Sequence, residues 1–223
     1  MNQIYHKVRN HTLTQKTNWV QSLFTGHKGQ LLDVGAGTGA FAHSMLNKGW
    51  KVTALEPDAA SRQKAQENYN INLLPIEELF QLEPAKYEVI TLWHVLEHVE
   101  NLEEYISTLE KLLTKNGTLI IAVPNYKSYD ANYYSKFWAA FDVPRHLWHF
   151  SETSISKLFA PVNLKVEKTL PMKFDAYYVS LLSEKYKCGS MKPISALYRG
   201  FVSNIKAIKS KQYSSLIYVL KKS

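Results

Sequence analysis

The segment LLDVGAGTGAFAHSMLNKGWKVTALEP, residues 31–57, restricts the fold more than any other part of the chain. It joins an apolar run, glycines at 35, 37 and 39, an amphipathic stretch and a second apolar run ending in Glu56. That order is the strand–loop–helix–strand of a βαβ unit. The alternation continues. Apolar runs at 30–34, 51–55, 71–75, 87–93 and 118–124 read as strands. Helical patterns separate them at 39–49, at 58–69 with Asp58 as N-cap, and at 101–117 with Asn101 as N-cap and Gly117 as the stop. Strands without polar alternation, divided by helices, predict a parallel sheet covered on both faces. A capped helix at 151–162, a strand at 164–170, a helical insertion at 172–213 and a last strand at 215–222 complete the reading. The expectation is a doubly wound, mostly parallel seven-stranded α/β sheet within a single domain of 223 residues.

In such sheets ligands bind at the carboxyl ends of the strands, beside the first strand, where Gly35, Ala36, Gly37 and Gly39 fall. Glycine there permits positive φ and close approach of a ligand to the backbone. Glu56 ends the neighbouring strand and can accept hydrogen bonds from both hydroxyls of a ribose. The spacing separates two ligands. A pyrophosphate site reads G-x-G-x-x-G, whereas this loop reads G-x-G-x-G and carries Asp33 two residues before the first glycine. An anion in that place opposes a pyrophosphate and suits a ligand bearing positive charge. No Gly-Lys-Ser/Thr follows, which excludes a P-loop.

These residues resemble the nucleotide-binding start of class I S-adenosylmethionine-dependent methyltransferases. YEVITLWHVLEHVENLEEYISTLEKLLTKNGTLIIAVPN is similar to the segment from the fourth to the fifth strand in that family. FDVPRHLWHFSETSISKLF is similar to the next segment of its small-molecule branch, the type grouped with ubiquinone-pathway O-methyltransferases. The resemblance spans roughly residues 28–170 and is specific for cofactor rather than acceptor. It implies a Rossmann-like methyltransferase fold with S-adenosylmethionine as cofactor and S-adenosylhomocysteine as product. Gly35, Ala36, Gly37 and Gly39 would line the methionine and adenosine, and Asp33 would hold the methionine end. Glu56 would take the ribose and Pro57 would lie against the adenine. Ile76 would flank the ring, Glu77 or Glu78 would reach its amine, and Trp93 and His94 would face the sulfonium. It also implies an N-terminal lid, residues 1–27, in which Tyr5, His6, Arg9 and Lys16 reach the carboxylate or the acceptor. The alternative is a surface helix contributing Trp19, Val20, Leu23 and Phe24 to the core.

HVLEH, residues 94–98, has the H-x-x-E-H form of a zinc hydrolase. That chemistry needs both histidines on one helical face, and His94 directly follows a strand, so no metal site is expected. DVPRHLWHF, residues 142–150, is the stronger catalytic candidate. Displacement at a sulfonium methyl depends chiefly on positioning, but a hydroxyl acceptor must also lose a proton. A histidine near neutrality is the natural base. His146 is the first candidate and His98 the second. Arg145 would pair an anionic group of the substrate, or Asp142, and His149 would border the substrate.

The net charge of +8 is local. Residues 1–171 carry 17 basic and 17 acidic side chains, and residues 172–223 carry ten against Asp175 and Glu184. The basic insertion at 172–213 is therefore a solvated basic face, or serves as a cap over a small acceptor, as a membrane-facing surface or, least of these uses, as a nucleic-acid groove. Cys188 is the only cysteine, which excludes an internal disulfide framework. The polar first residues and the short apolar runs predict a cytoplasmic protein without a signal peptide. Oligomeric state is unassigned. The expected function is methyl transfer to a small organic acceptor, oxygen before nitrogen or carbon. The competing classes are a methyltransferase acting on a lipid-like, membrane-associated acceptor, a non-catalytic domain that binds the cofactor, and a nicotinamide oxidoreductase.

Overall fold

The computed structural model describes residues 2–24 and 28–222, with side chains from residue 11 onward. Its elements are α1 (Asn2–Ser22), β1 (Gln30–Val34), α2 (Ala40–Asn47), β2 (Lys51–Leu55), α3 (Ala59–Tyr69), β3 (Tyr87–Trp93), α4 (Leu102–Leu112), β4 (Leu113–Pro124), α5 (Tyr129–Tyr134), α6 (Glu152–Phe159), β5 (Leu164–Pro171), α7 (Asp175–Cys188), α8 (Pro193–Ser210) and β6 (Ser215–Lys222). The strands form one mixed sheet in the order β2-β1-β3-β4-β6-β5. β1 pairs parallel with β2, and β6 runs antiparallel to both β4 and β5. Leu31, Leu32, Val34, Val89, Ile90, Leu119, Ile120 and Ile121 are fully buried, as strands covered on both faces require.

The chain divides into two compact units: Met1–Thr91 with Lys111–Gly117, and Leu92–Glu110 with Thr118–Ser223. In the first, Asp58 caps α3 by accepting from the Ser61 amide at 2.9 Å, and Asn70 closes that helix at φ +53. The C-terminal part of α1 docks on α2. Thr17 and Val20 are fully buried, and the Thr17 hydroxyl lies 3.1 Å from that of Ser44. In the second, Ser151 and Ser154 cap α6 reciprocally, and α7 and α8 occupy the insertion expected between the last two strands.

Two expectations are corrected. The seventh strand, at 71–75, shrinks to one parallel bridge between Leu55 and Leu74 among the described residues, so the sheet has six strands. Leu74 donates to the Ala54 carbonyl and accepts from the Glu56 amide, both at 2.9 Å. Pro75 follows, and the chain turns into a 3₁₀ segment, Ile76–Gln81, before a second residue can pair. The helix predicted to Gly117 stops at Leu112. The carbonyls of Lys111 and Leu112 accept from the amides of Ala85 and Lys86, and the chain leaves as β4. Gly117 serves close packing instead: a Cβ there would lie 3.0 Å from the Tyr87 carbonyl oxygen. No helix among the described residues is long and apolar enough to cross a membrane.

Candidate active site

In the first unit, β1 lies between β2 and β3, and the chain leaves it toward β2 through the glycine loop. Gly35, Gly37 and Gly39 all have positive φ, between +55 and +77. The loop spends its amides on itself. Those of Gly35 and Ala36 both donate to the Leu55 carbonyl at 2.8 Å, and that of Gly39 donates to Ala36 at 3.0 Å. The Gly37 amide donates to Glu56 Oε2 at 2.7 Å, and the Asp58 amide to Oε1 at 3.0 Å. Anion cradles are built from amides left free to point at the ligand. Here four are committed, one of them to a carboxylate. Around Gly37 the space beyond its Cα is open, whereas a Cβ on Gly39 would lie 2.7 Å from Ile71 Cδ1. Arg62 steadies the turn after β2 by donating to the carbonyls of Glu56 and Pro57, each at 2.7 Å.

Asp33 is the second acid of this loop and is almost completely buried. Its Oδ1 accepts from the Thr91 hydroxyl at 2.7 Å, and its Oδ2 has no partner among the described residues. Burial raises its pKa to about 7, against the opposing effects of the Thr91 hydrogen bond and the charge of Lys16, while Glu56 adds to the rise. An orphaned carboxylate oxygen beside amides that are already committed fits a cationic ligand and not a pyrophosphate. Pro57 and Glu77 are exposed, and Ile76 is half-buried on its 3₁₀ turn. The side chains of Tyr5, His6 and Arg9 lie outside the described residues.

The second unit holds a cavity of about 340 Å³. Its polar lining includes His94, Glu97, Asp142, Arg145, His146, Asp175 and Ser215, and Ala139, Ala140, Val179 and Leu182 supply apolar wall. His94, at φ +59 just after β3, faces two carboxylates: Nδ1 lies 3.3 Å from Glu97 Oε1 and Nε2 lies 3.1 Å from Asp175 Oδ2. Burial works against its charge, but the hydrogen bonds and charges of Asp175 and Glu97 prevail and raise its pKa to about 9. With both nitrogens donating, His94 is a fixed cation and not a base.

His146 is the opposite case. Its Nδ1 donates to the Ala140 carbonyl at 2.8 Å, which leaves the Nε2 lone pair available, 3.9 Å from Asp142 Oδ2. Burial lowers its pKa below the ordinary histidine value. His98 Nδ1 donates to the Arg145 carbonyl at 2.9 Å, and the amide of Leu147 donates to the Glu97 carbonyl at 2.8 Å. Arg145 pairs with Asp142 at 2.7 Å, and His149 Nε2 donates to the Phe141 carbonyl at 3.0 Å. These bonds pin the 142–150 loop so that His98 and His146 meet edge to face, with ring centroids 4.7 Å apart. Glu97, His98 and His146 offer three ligand atoms within 4.8 Å of one another, and Glu97 Oε2 is buried without a partner among the described residues. This set could hold a cation. His94 and His98 do not form a zinc-hydrolase pair, since His94 is turned to Asp175 and Leu96–His98 is a single 3₁₀ turn.

Three contributors escaped the sequence reading. Thr91, the one aliphatic hydroxyl in the run YEVITLW, carried a signal. Asp175 and Ser215 carried none, because nothing in their spacing relates them to His94 or His146.

Residues 8–169 match the sequence profile of a methyltransferase domain. The chain belongs to that methyltransferase family. It is 30% identical over 119 residues to a ubiquinone biosynthesis O-methyltransferase of Acinetobacter baumannii, a match covering 49% of this chain and 50% of the relative. It is 28% identical over 152 residues to one from Rickettsia bellii, covering 62% of each. The chain thus spans about half to three-fifths of the length of these curated relatives. Among solved structures it resembles an S-adenosylmethionine-dependent methyltransferase from Archaeoglobus fulgidus (TM-score 0.65, 13% identity, 96% of this chain and 94% of the other). It also resembles magnesium protoporphyrin IX methyltransferase from Synechocystis with bound S-adenosylhomocysteine (TM-score 0.58, 17% identity, 96% and 84%). The methyltransferase domain therefore has the Rossmann-like fold of these enzymes.

Proposed function

We propose that this methyltransferase domain transfers the methyl group of S-adenosylmethionine to a hydroxyl of a small organic acceptor. The observation that carries the reading is the glycine loop of the first unit, with four amides committed and Asp33 Oδ2 buried and without a partner among the described residues. When bound, S-adenosylmethionine supplies an electrophilic methyl group on a sulfonium. Asp33 would hold its cationic amino-acid end. Glu56, whose oxygens each keep a second lone pair, would accept from the ribose hydroxyls. Isothermal titration tests the cofactor: S-adenosylhomocysteine should bind and NAD should not, and the reverse would end the proposal. Glu56→Ala should weaken S-adenosylhomocysteine by about 1–3 kcal/mol, through loss of charged hydrogen bonds. Unchanged affinity in that titration would remove Glu56 from the site.

The second unit supplies the acceptor site. A cavity of about 340 Å³ lies at the small end of ligand pockets and suits a single ring or a compact polar molecule. Neutral His146 takes the hydroxyl proton on Nε2, while its Nδ1–H stays on the Ala140 carbonyl and keeps the tautomer fixed. Glu97 Oε2 and Ser215 Oγ, both buried and unpartnered, give the acceptor two further hydrogen-bonding points. The ubiquinone biosynthesis relatives favour oxygen as the methylated atom.

The Glu97–His98–His146 cluster supports a second reading, in which a divalent cation held there lowers the acidity barrier of the hydroxyl. Dialysis against EDTA separates the two. Turnover of a simple phenol or catechol should survive chelation if His146 is the base, and a loss restored by added metal would favour the cation.

A further inference from the structure

Helix α8 is amphipathic in the inverse sense. Its small residues Ala196, Gly200, Ser203 and Ala207, spaced by 4, 3 and 4, are buried. They pack so closely on α7 that a Cβ on Gly200 would lie 2.6 Å from Tyr177 Cδ1 and 3.0 Å from Tyr177 Cα. Its large apolar residues Ile194, Leu197, Phe201, Ile205 and Ile208, spaced by 3, 4, 4 and 3, share the opposite face and are between 50% and 86% exposed. A helix of a globular domain normally buries that stripe. A contiguous exposed one marks a surface for another body.

Charge selects the partner. No Asp or Glu follows Glu184 in the chain, whereas Lys192, Arg199, Lys206, Lys209 and Lys211 lie on or beside α8. Lys209 borders the stripe one helical turn from Ile205. Lys206 and Arg199 are held on the same flank by the rings of Tyr129 and Tyr133, at 3.9 and 4.1 Å. Two copies of this face would set cations against cations with no acid to offset them. An apolar stripe rimmed by cations matches the acyl boundary and head groups of an anionic bilayer.

We propose that α8 lies in the surface of an anionic membrane, with Leu197, Phe201 and Ile205 entering the acyl boundary and the lysines meeting the head groups. The claim is independent of the catalytic reading, since its readout is binding alone. Sedimentation with vesicles of phosphatidylcholine containing 30% phosphatidylglycerol tests it, against pure phosphatidylcholine and at raised salt. The full chain should bind the anionic vesicles and be released by salt. Phe201→Gln with Ile205→Gln should lower the partition constant at least tenfold. Lys209→Glu with Lys211→Glu, exposed positions that leave the packing on α7 intact, should lower it about fivefold or more for each charge. Circular dichroism and melting would establish that both double variants fold. Binding unaffected by either would overturn the proposal. So would equal binding to neutral vesicles, or no vesicle binding with a dimer that Phe201→Gln dissolves.

Discussion

Asp33→Asn should stabilise the protein at pH 8 and at the same time weaken S-adenosylhomocysteine binding about tenfold to a hundredfold. Folding raises the pKa of this carboxyl from 3.8 to about 7, chiefly through burial. The contribution to stability is therefore fully present below pH 4 and is lost as the pH rises through about 7. The pKa difference corresponds to roughly 4 kcal/mol between those limits. An amide carries no such penalty, and its oxygen can still accept from the Thr91 hydroxyl. Some of the gain is offset by the lost attraction to Lys16, which leaves about 1–3 kcal/mol at pH 8 and nearly nothing at pH 4. Melting midpoints of the two proteins across this range check the point, because their difference cancels the contribution of His94, which falls with pH in the same direction but in a higher window. That imidazolium stabilises the fold below pH 6.5 and loses its effect as the pH passes about 9. An Asn variant less stable than the parent at pH 8 would contradict the account of Asp33. The binding loss follows from removing the charge that faces a cationic ligand, at about 1.5–3 kcal/mol.

His146→Ala should lower kcat by about 10²–10⁴ with a phenolic or alcoholic acceptor and leave S-adenosylhomocysteine affinity unchanged. The parent's kcat/KM should rise with pH through a value below the ordinary 6.5 of histidine, because burial disfavours the imidazolium, and should then level off. The measurement is product formation against pH with whichever of a set of simple phenols and catechols is turned over. A variant with full kcat would end the base assignment. One that loses S-adenosylhomocysteine affinity as well would point to disruption of the loop, which His146 helps to pin through Ala140. His98→Gln provides the contrast. Its Nδ1 holds the Arg145 carbonyl, so this substitution should act through loop position and raise KM more than it lowers kcat.

Where local pattern decided the outcome, the sequence was legible. The strands at 30–34, 51–55, 87–93 and 215–222 lie at the residues their apolar runs indicated. So does the Asp58 cap, and the insertion at 172–213 is helical as its spacing indicated, divided into two helices by Gly189 and Pro193. The errors fell where tertiary contacts overruled periodicity. Residues 71–75 have strand composition, but one pairing residue and then Pro75 do not make a strand. Residues 113–117 continue a helical stripe, but Ala85 and Lys86 claim the carbonyls at the end of α4. Tyr177 lies where any side chain at residue 200 would have to go, so α8 turns its small face inward and its large one to solvent.

By itself the sequence determined most of the order of strands and helices, the glycine turn and the presence of two acids beside it. Those depend on side-chain periodicity and on backbone angles that only glycine adopts readily. Tertiary structure decided which of the atoms remained available for chemistry. Thr91, 58 residues from Asp33, leaves that carboxylate one unpartnered oxygen. Asp175, 81 positions from His94, makes a fixed cation of the histidine expected to face the sulfonium. Ala140 directs the lone pair of His146 to Nε2. Protonation and hydrogen-bonding capacity are set by burial and by partners brought together in space, and spacing along the chain carries no record of them.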